Sequence, residues 1–181
     1  MLEYLAGIDQ ALFLFINVYL ANPVTDVVMP VITSDILLRT IYGAAIAILL
    51  WRGDSRLRWL VLFSAVALLL TDQLSSNLLK KLIARPRPCH LMSDIHLLVN
   101  CGAGFSLPSS HAANMFGQAI LFSYHVKAAR WYLILFASLV AISRISVGVH
   151  YPFDVLSGAV LGFIVGIAVA ITFKRFESWR L

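Results

Sequence analysis

Apolar residues run through this chain in long blocks, and polar residues gather in short clusters between them. The blocks 41–51, 59–70, 131–142 and 155–173 contain no charged residue. Apolar runs approaching ~20 residues are long enough to cross the ~30 Å hydrocarbon core as helices. The pattern predicts an all-α integral membrane protein, a single domain over 1–181 built as a bundle of about six transmembrane helices.

The first apolar segment, 5–20, is short and interrupted by Asp9 and Asn17, and reads as a span or as a helix lying at the interface. Residues 21–26 form a turn by their Asn-Pro and polar content, and 27–33 is too short to cross unaided. A span over 37–51 closes at a basic connection, 52–58. Residues 59–83 predict one long helix, apolar first and then carrying Asp72, Gln73, Ser75, Ser76, Asn77, Lys80 and Lys81. Two prolines in Arg85-Pro-Arg87-Pro88 end it. An irregular loop of 89–107 follows, a length that often marks a lid or binding loop. The remaining helices are 109–124, with Ser109 as N-cap, then 131–148 and 155–173. In the last, Gly158, Gly162 and Gly166 recur four apart, a spacing that lets membrane helices pack closely.

Composition agrees with this pattern: 60% of residues are hydrophobic and 13% charged, against about a quarter charged in soluble domains. The net charge of +5 does not point to nucleic acid, because the basic residues sit in short connections rather than in one stripe. Arg52, Arg56 and Arg58, then Lys127 and Arg130, then Lys174 and Arg175 fall in alternate connections. The positive-inside rule puts them on the cytoplasmic side, with both termini. Residues 1–10 lack a basic n-region, so no cleavable signal is expected and the first apolar segment directs insertion. Trp51, Trp59, Trp131 and Trp179 stand near span ends, as interfacial anchors do.

The opposite connections hold three polar clusters that this rule leaves unexplained. Ser143-Arg144 through His150 to Asp154 places a guanidinium, an imidazole and a carboxylate among apolar neighbours, where such groups usually mark function. An aspartate on Nδ1–H fixes a histidine tautomer and leaves Nε2 free as nucleophile or base. Pro108-Ser109-Ser110-His111 puts hydroxyls and backbone N–H groups at a helix N-terminus, an anion site. Lys80 and Arg87 add two cations with reach to phosphate oxygens. Each piece alone also has a plain structural reading. A His–Asp pair can hold a helix start, a serine can be an ordinary cap, and cations can snorkel at the membrane edge. Asp72 receives no role, His125 reads as a surface residue, and Arg85 is a candidate for receiving an anionic head group.

Together, Lys80-x6-Arg87-Pro88, Pro108-Ser109-x-His111 and Ser143-Arg144-x5-His150-x3-Asp154 resemble the three signatures of the type 2 phosphatidic acid phosphatase (PAP2) family. The resemblance covers roughly residues 60–175. One departure stands out: Ser110 replaces the usual glycine of the second signature. The resemblance implies a metal-independent phosphatase of lipid phosphates that needs no cofactor and no obligatory protein partner. It implies His150 as nucleophile, Asp154 as its orienting carboxylate and His111 as the acid that protonates the leaving oxygen. It implies Lys80, Arg87, Ser109, Ser110 and Arg144 as holders of the phosphate oxygens. The active site is then expected at the periplasmic end of the bundle, in the inner membrane of a bacterium. Undecaprenyl pyrophosphate is slightly favoured as substrate over phosphatidylglycerophosphate and the lipid A 1-phosphate. Two other classes remain: an inactive lipid-phosphate-binding relative, and a haem-binding bundle using His111 and His150.

Cys89 and Cys101 flank the long loop. In an oxidising compartment a disulfide is the natural pairing. Free thiols are one alternative, and zinc held by Cys89, His90, His96 and Cys101 is another, although that spacing matches no recognised zinc pattern.

Overall fold

The computed structural model describes residues 2–180, and these form helices and connections without a strand. Helix α1 (Leu2–Leu14) runs on through a π-helical turn, Phe15–Tyr19. Asn22 then starts α2 (Pro23–Ile32), accepting from the Val24 and Thr25 amides while Thr25 reaches back to the Asn22 amide. That reciprocal cap, with proline in the first turn, sets a new helix direction, and the two helices are bent by 114°. Ser34 caps α3 (Asp35–Arg52) and Asp54 caps α4 (Ser55–Asp72).

From α4 the helix continues through a π-helical stretch, Gln73–Leu79, into α5 (Lys80–Ile83). The single long helix expected from residues 59–83 is therefore present, with a widened turn where its polar half begins. Ala84, left-handed at φ 50°, ends it ahead of the prolines. The long loop opens with a short helix, α6 (Pro88–Leu91). Helix α7 (Ser110–His125) follows, then a 3-10 turn at Lys127–Ala129, α8 (Arg130–Ser146) and α9 (Pro152–Arg180).

Three helical runs among the described residues are long and apolar enough to cross a membrane, namely Ser55–Leu91, Lys127–Ser146 and Pro152–Trp179. The bent α1–α2 pair makes a fourth if it counts as one span. The sequence pattern suggested about six. The difference lies in three places: the bend after Tyr19, the charges Asp35, Arg39 and Arg52 of α3, and the 16-residue length of α7.

Helices α7 and α9 form the centre of the bundle through small residues. A Cβ on Gly158 would lie 2.3 Å from the Ser109 carbonyl oxygen, and one on Gly162 would lie 2.4 Å from that of Ala113. One on Gly166 would lie 2.7 Å from the Gly117 carbonyl oxygen. The backbones thus approach closer than any side chain permits, which seats the first turn of α7 against the start of α9. Two apolar clusters flank this contact. Leu60, Leu121 and Phe173 pack at one end, and Phe13, Ile145, Tyr151 and Val155 at the other.

The two ends differ in charge. At one, Arg56 pairs with Glu177 at 2.5 Å and reaches His125 Nδ1 at 3.2 Å, while His125 Nε2 lies 3.2 Å from the Ala170 carbonyl. His125, expected at the surface, is instead a half-buried tie between α4, α7 and α9. Trp51, Trp131 and Trp179 are exposed as anchors would be, whereas Trp59 packs on Phe176. The other end holds the three polar clusters.

Substituting Gly162→Ala is expected to force α7 and α9 apart and to destabilise the bundle by about 1–3 kcal/mol. Gly43→Ala in α3, where a Cβ meets nothing within 4 Å, should leave the thermal midpoint in detergent unchanged or slightly raised. Equal midpoints for the two variants would contradict the packing.

Candidate active site

His150 stands in the short connection between α8 and α9, and only 2% of it is exposed. Gly148 (φ 87°) makes the bend before it, where a Cβ would lie 3.0 Å from the His96 carbonyl oxygen. Pro152 starts α9, so the spacing of four to Asp154 does not lie on one continuous helical face. In consequence His150 Nδ1 is 3.6 Å from Asp154 Oδ2, too far for a hydrogen bond. Ser106 fills the interval: its Oγ lies 3.2 Å from His150 Nδ1 and donates a short hydrogen bond to Asp154 Oδ2. The expected His–Asp pair is present at 3.6 Å, and Ser106 bridges it.

Asp154 is fully buried and bonded on both oxygens. Oδ2 also accepts from the Tyr151 amide at 2.8 Å, and Oδ1 accepts from Arg85 Nη1 at 2.7 Å. Arg85 Nη2 donates to Asp9 Oδ2 at 2.7 Å, and the guanidinium lies over the Tyr151 ring at 4.2 Å. Asp9 Oδ1 in turn accepts from the Phe153 amide at 2.8 Å. Arg85 is therefore held between two buried carboxylates, one on each terminal nitrogen, which gives it a structural place that the head-group reading did not foresee. Neither Asp9 nor Ser106 was singled out from the sequence. For Asp9 the signal was there, as a lone carboxylate breaking an apolar block. Ser106 carries no spacing signal, since a loop delivers it.

The phosphate-binding candidates are gathered at this end. Arg144 Nη1 donates to Thr33 Oγ1 at 2.6 Å, while its buried Nε has no hydrogen-bond partner among the described residues. Arg87 donates from Nε to the Gly104 carbonyl and from Nη1 to that of Cys101, leaving Nη2 uncommitted among the described residues. Lys80 is half-buried and within electrostatic reach of Arg87, Arg144 and Asp154. Ser109 occupies the N-cap position of α7, but its hydroxyl does not cap. It is buried without a partner among the described residues, and the Ser109 amide donates instead to the Asp154 carbonyl at 2.8 Å. Ser110 Oγ pairs with Ser76 Oγ at 2.9 Å, and Ser76 donates to Asp72, which gives Asp72 a place beside the second motif. His111 Nε2 lies 3.2 Å from Asp35 Oδ1 but outside hydrogen-bonding alignment, and counts among the unpartnered buried atoms.

Burial pushes the His150 imidazole down to about 3, with Arg144 and Arg87 adding to the fall and Asp154 opposing it. At neutral pH the ring is uncharged and keeps one bare nitrogen. A cleft of about 550 Å³ opens from this end between α3, α4 and α7, and Asp35, Arg39, Asp72, Ser110 and His111 are among its lining residues. His111 is among its lining residues and His150 is not.

Cys89 and Cys101 are joined by a disulfide. The four-ligand zinc alternative does not assemble. Cys89, His90 and Cys101 do cluster, but His96 pairs with Asp26 at 2.8 Å. The disulfide instead holds the loop whose carbonyls grip Arg87.

A family model described as the PAP2 superfamily matches residues 58–178. A lipid A 4'-phosphatase from Bacteroides thetaiotaomicron is 34% identical over 90% of this chain and 75% of its own length. The undecaprenyl-diphosphatase BcrC of Bacillus subtilis is 30% identical over 87% of this chain and 77% of its own. Among solved structures, that of Aquifex aeolicus LpxE matches with a TM-score of 0.70 at 29% identity, covering 90% of this chain and 94% of that one. The phosphatidylglycerolphosphate phosphatase from Bacillus subtilis matches with 0.69 at 28%, covering 97% and 87%.

Removing Arg85 as Arg85→Ala strands two buried carboxylates, so it should destabilise the protein by about 3–5 kcal/mol. The double variant Arg85→Ala with Asp9→Asn should recover part of that loss, as read from thermal midpoints in detergent. Additive effects of the two changes would contradict the coupling.

Proposed function

The chain belongs to the PAP2 superfamily, and on that premise we propose that it hydrolyses a lipid-linked phosphate monoester or pyrophosphate, without a metal, through a phosphohistidine at His150. The observation that carries this reading is a set of orphaned atoms. Ser109 Oγ and Arg144 Nε are buried at the motif end with no hydrogen-bond partner among the described residues, and His111 Nε2 beside them faces the unaligned Asp35 carboxylate at 3.2 Å. Buried polar atoms left this way call for a ligand, an ordered water or a catalytic role, and these lie on motif residues. A tetrahedral oxyanion accepts from a hydroxyl, a guanidinium and an imidazole N–H alike.

In the proposed reaction the neutral His150 Nε2 attacks phosphorus in line and the bond to the leaving oxygen breaks. His111 gives that oxygen its proton. His111 then takes a proton from water, whose oxygen attacks the phosphohistidine and releases inorganic phosphate. Lys80, Arg87 and Arg144 stabilise the charge on the equatorial oxygens, assisted by Ser109 and the Ser110 amide. Phosphoryl transfer asks mainly for such positioning and preorganised charge, and three fixed cations supply what a magnesium ion supplies elsewhere. The Ser110 side chain, at the position of the family's glycine, turns to Ser76 and so leaves its amide unobstructed by a hydroxyl contact of its own.

Charge placement supports six membrane crossings, with both termini cytoplasmic and the site at the periplasmic face of an inner membrane. The α3–α4–α7 cleft supports sideways entry of the leaving group past His111 while its tails stay in lipid. Substrates of this chemistry are undecaprenyl pyrophosphate, phosphatidylglycerophosphate and the lipid A phosphates. The similarity to a lipid A 4'-phosphatase and an undecaprenyl-diphosphatase supports keeping both ends of that range.

Phosphate release by detergent-purified protein on those lipids, in EDTA, is expected to persist in the parent and to vanish in His150→Ala. Loss of release in EDTA would contradict metal independence, and binding without turnover would favour an inactive relative.

A further inference from the structure

We propose that Ser106 is a positioning residue: its hydroxyl fixes the His150 imidazole in the Nδ1–H tautomer and couples it to Asp154. The proposal rests on the reading of His150 as nucleophile. It follows from counting protons at one buried oxygen. A serine hydroxyl has one hydrogen and two lone pairs, whereas an ionised carboxylate only accepts. The short bond from Ser106 Oγ to Asp154 Oδ2 therefore uses the serine hydrogen. What remains toward His150 Nδ1, 3.2 Å away, is a lone pair, so Nδ1 must bring the proton. Nε2 is then the bare nitrogen.

Asp154 cannot do this directly. Its Oδ2 is 3.6 Å from Nδ1 and already accepts from the Tyr151 amide, and its Oδ1 is taken by Arg85. Ser106, His150 and Asp154 are each at most 2% exposed, so bulk water has no access to stand in for the hydroxyl. The backbone holds the serine in place, with the Ser106 amide donating to the Arg85 carbonyl at 2.7 Å. Ser106 thereby ties the first motif region to the third. As Nε2 bonds to phosphorus the ring becomes cationic. Nδ1 keeps its proton, and the oriented hydroxyl carries the stabilisation on to the carboxylate without any further proton moving.

The test uses Ser106→Ala and the similarly sized Ser106→Cys, whose thiol is a weak donor and acceptor. Nitrogen-15 histidine spectra report the tautomer, with the His150 signals identified by their loss in His150→Ala. Steady-state kinetics run on whichever lipid the parent hydrolyses fastest. The parent should show a protonated Nδ1 and an unprotonated Nε2. Ser106→Ala should show mixed tautomers and a kcat lower by about 10- to 100-fold, with KM within about threefold. Ser106→Cys should fall between. A parent carrying its proton on Nε2 would overturn the proposal. So would a folded Ser106→Ala with the parental spectrum and a kcat within twofold. If Ser106→Ala does not fold, the Ser106→Cys spectrum and kcat decide by the same criteria. Turnover surviving in His150→Ala would instead sink the nucleophile reading, while the spectra would still report on the serine.

Discussion

A carboxylate taken out of water is costly unless its lone pairs are filled, and Asp154 fills them from separate parts of the chain. Arg85 comes from just beyond α5, Ser106 from the disulfide-bearing loop, and the Tyr151 amide from the connection into α9. Arg85 extends the network to Asp9 on α1, which lies outside the stretch matched by the family. Removing any one partner leaves a buried anion underbonded. This demand fixes the relative placement of α1, α5, the loop and α9 more tightly than apolar packing between smooth helices does.

The same end of the bundle concentrates positive charge. Arg144 and Arg87 both act on His150, whose burial keeps it neutral. Holding cations together in a low-dielectric setting is unfavourable, and an anion placed among them would relieve the repulsion, which is the basis of the proposed phosphate role. The loop contributes by occupying Arg87 with carbonyls of Cys101 and Gly104, which aims the guanidinium without neutralising it. Close packing of α7 on α9 through Gly158 and Gly162 brings the Ser109 turn against the Asp154 turn, so two motifs far apart in sequence meet.

Much of this was legible in the sequence because membrane depth makes polar groups conspicuous. His111, Arg144, His150 and Asp154 stood out against apolar neighbours, and the long helix, its proline stop and the glycine stripe followed from local chemistry. Less legible was anything set by tertiary contact. Arg85 read as a free cation because its partners are Asp9 and Asp154, 76 and 69 residues away. Ser106 was one serine in an irregular loop, and nothing in its spacing placed it between His150 and Asp154. The span count was blurred where a bend, α3 charges and a short α7 interrupt the apolar pattern.

The central claim is a covalent phosphorus–nitrogen bond at His150, and trapping it tests that claim most directly. Protein mixed with a lipid labelled with ³²P at its terminal phosphate would be quenched in alkali within a single turnover and digested. Label is expected to be alkali-stable, acid-labile and located on the peptide containing His150, and with a pyrophosphate substrate, whose leaving group departs without protonation, His111→Ala should raise its yield by slowing the attack of water. Turnover without label on that peptide, or label that maps to His111, would contradict it.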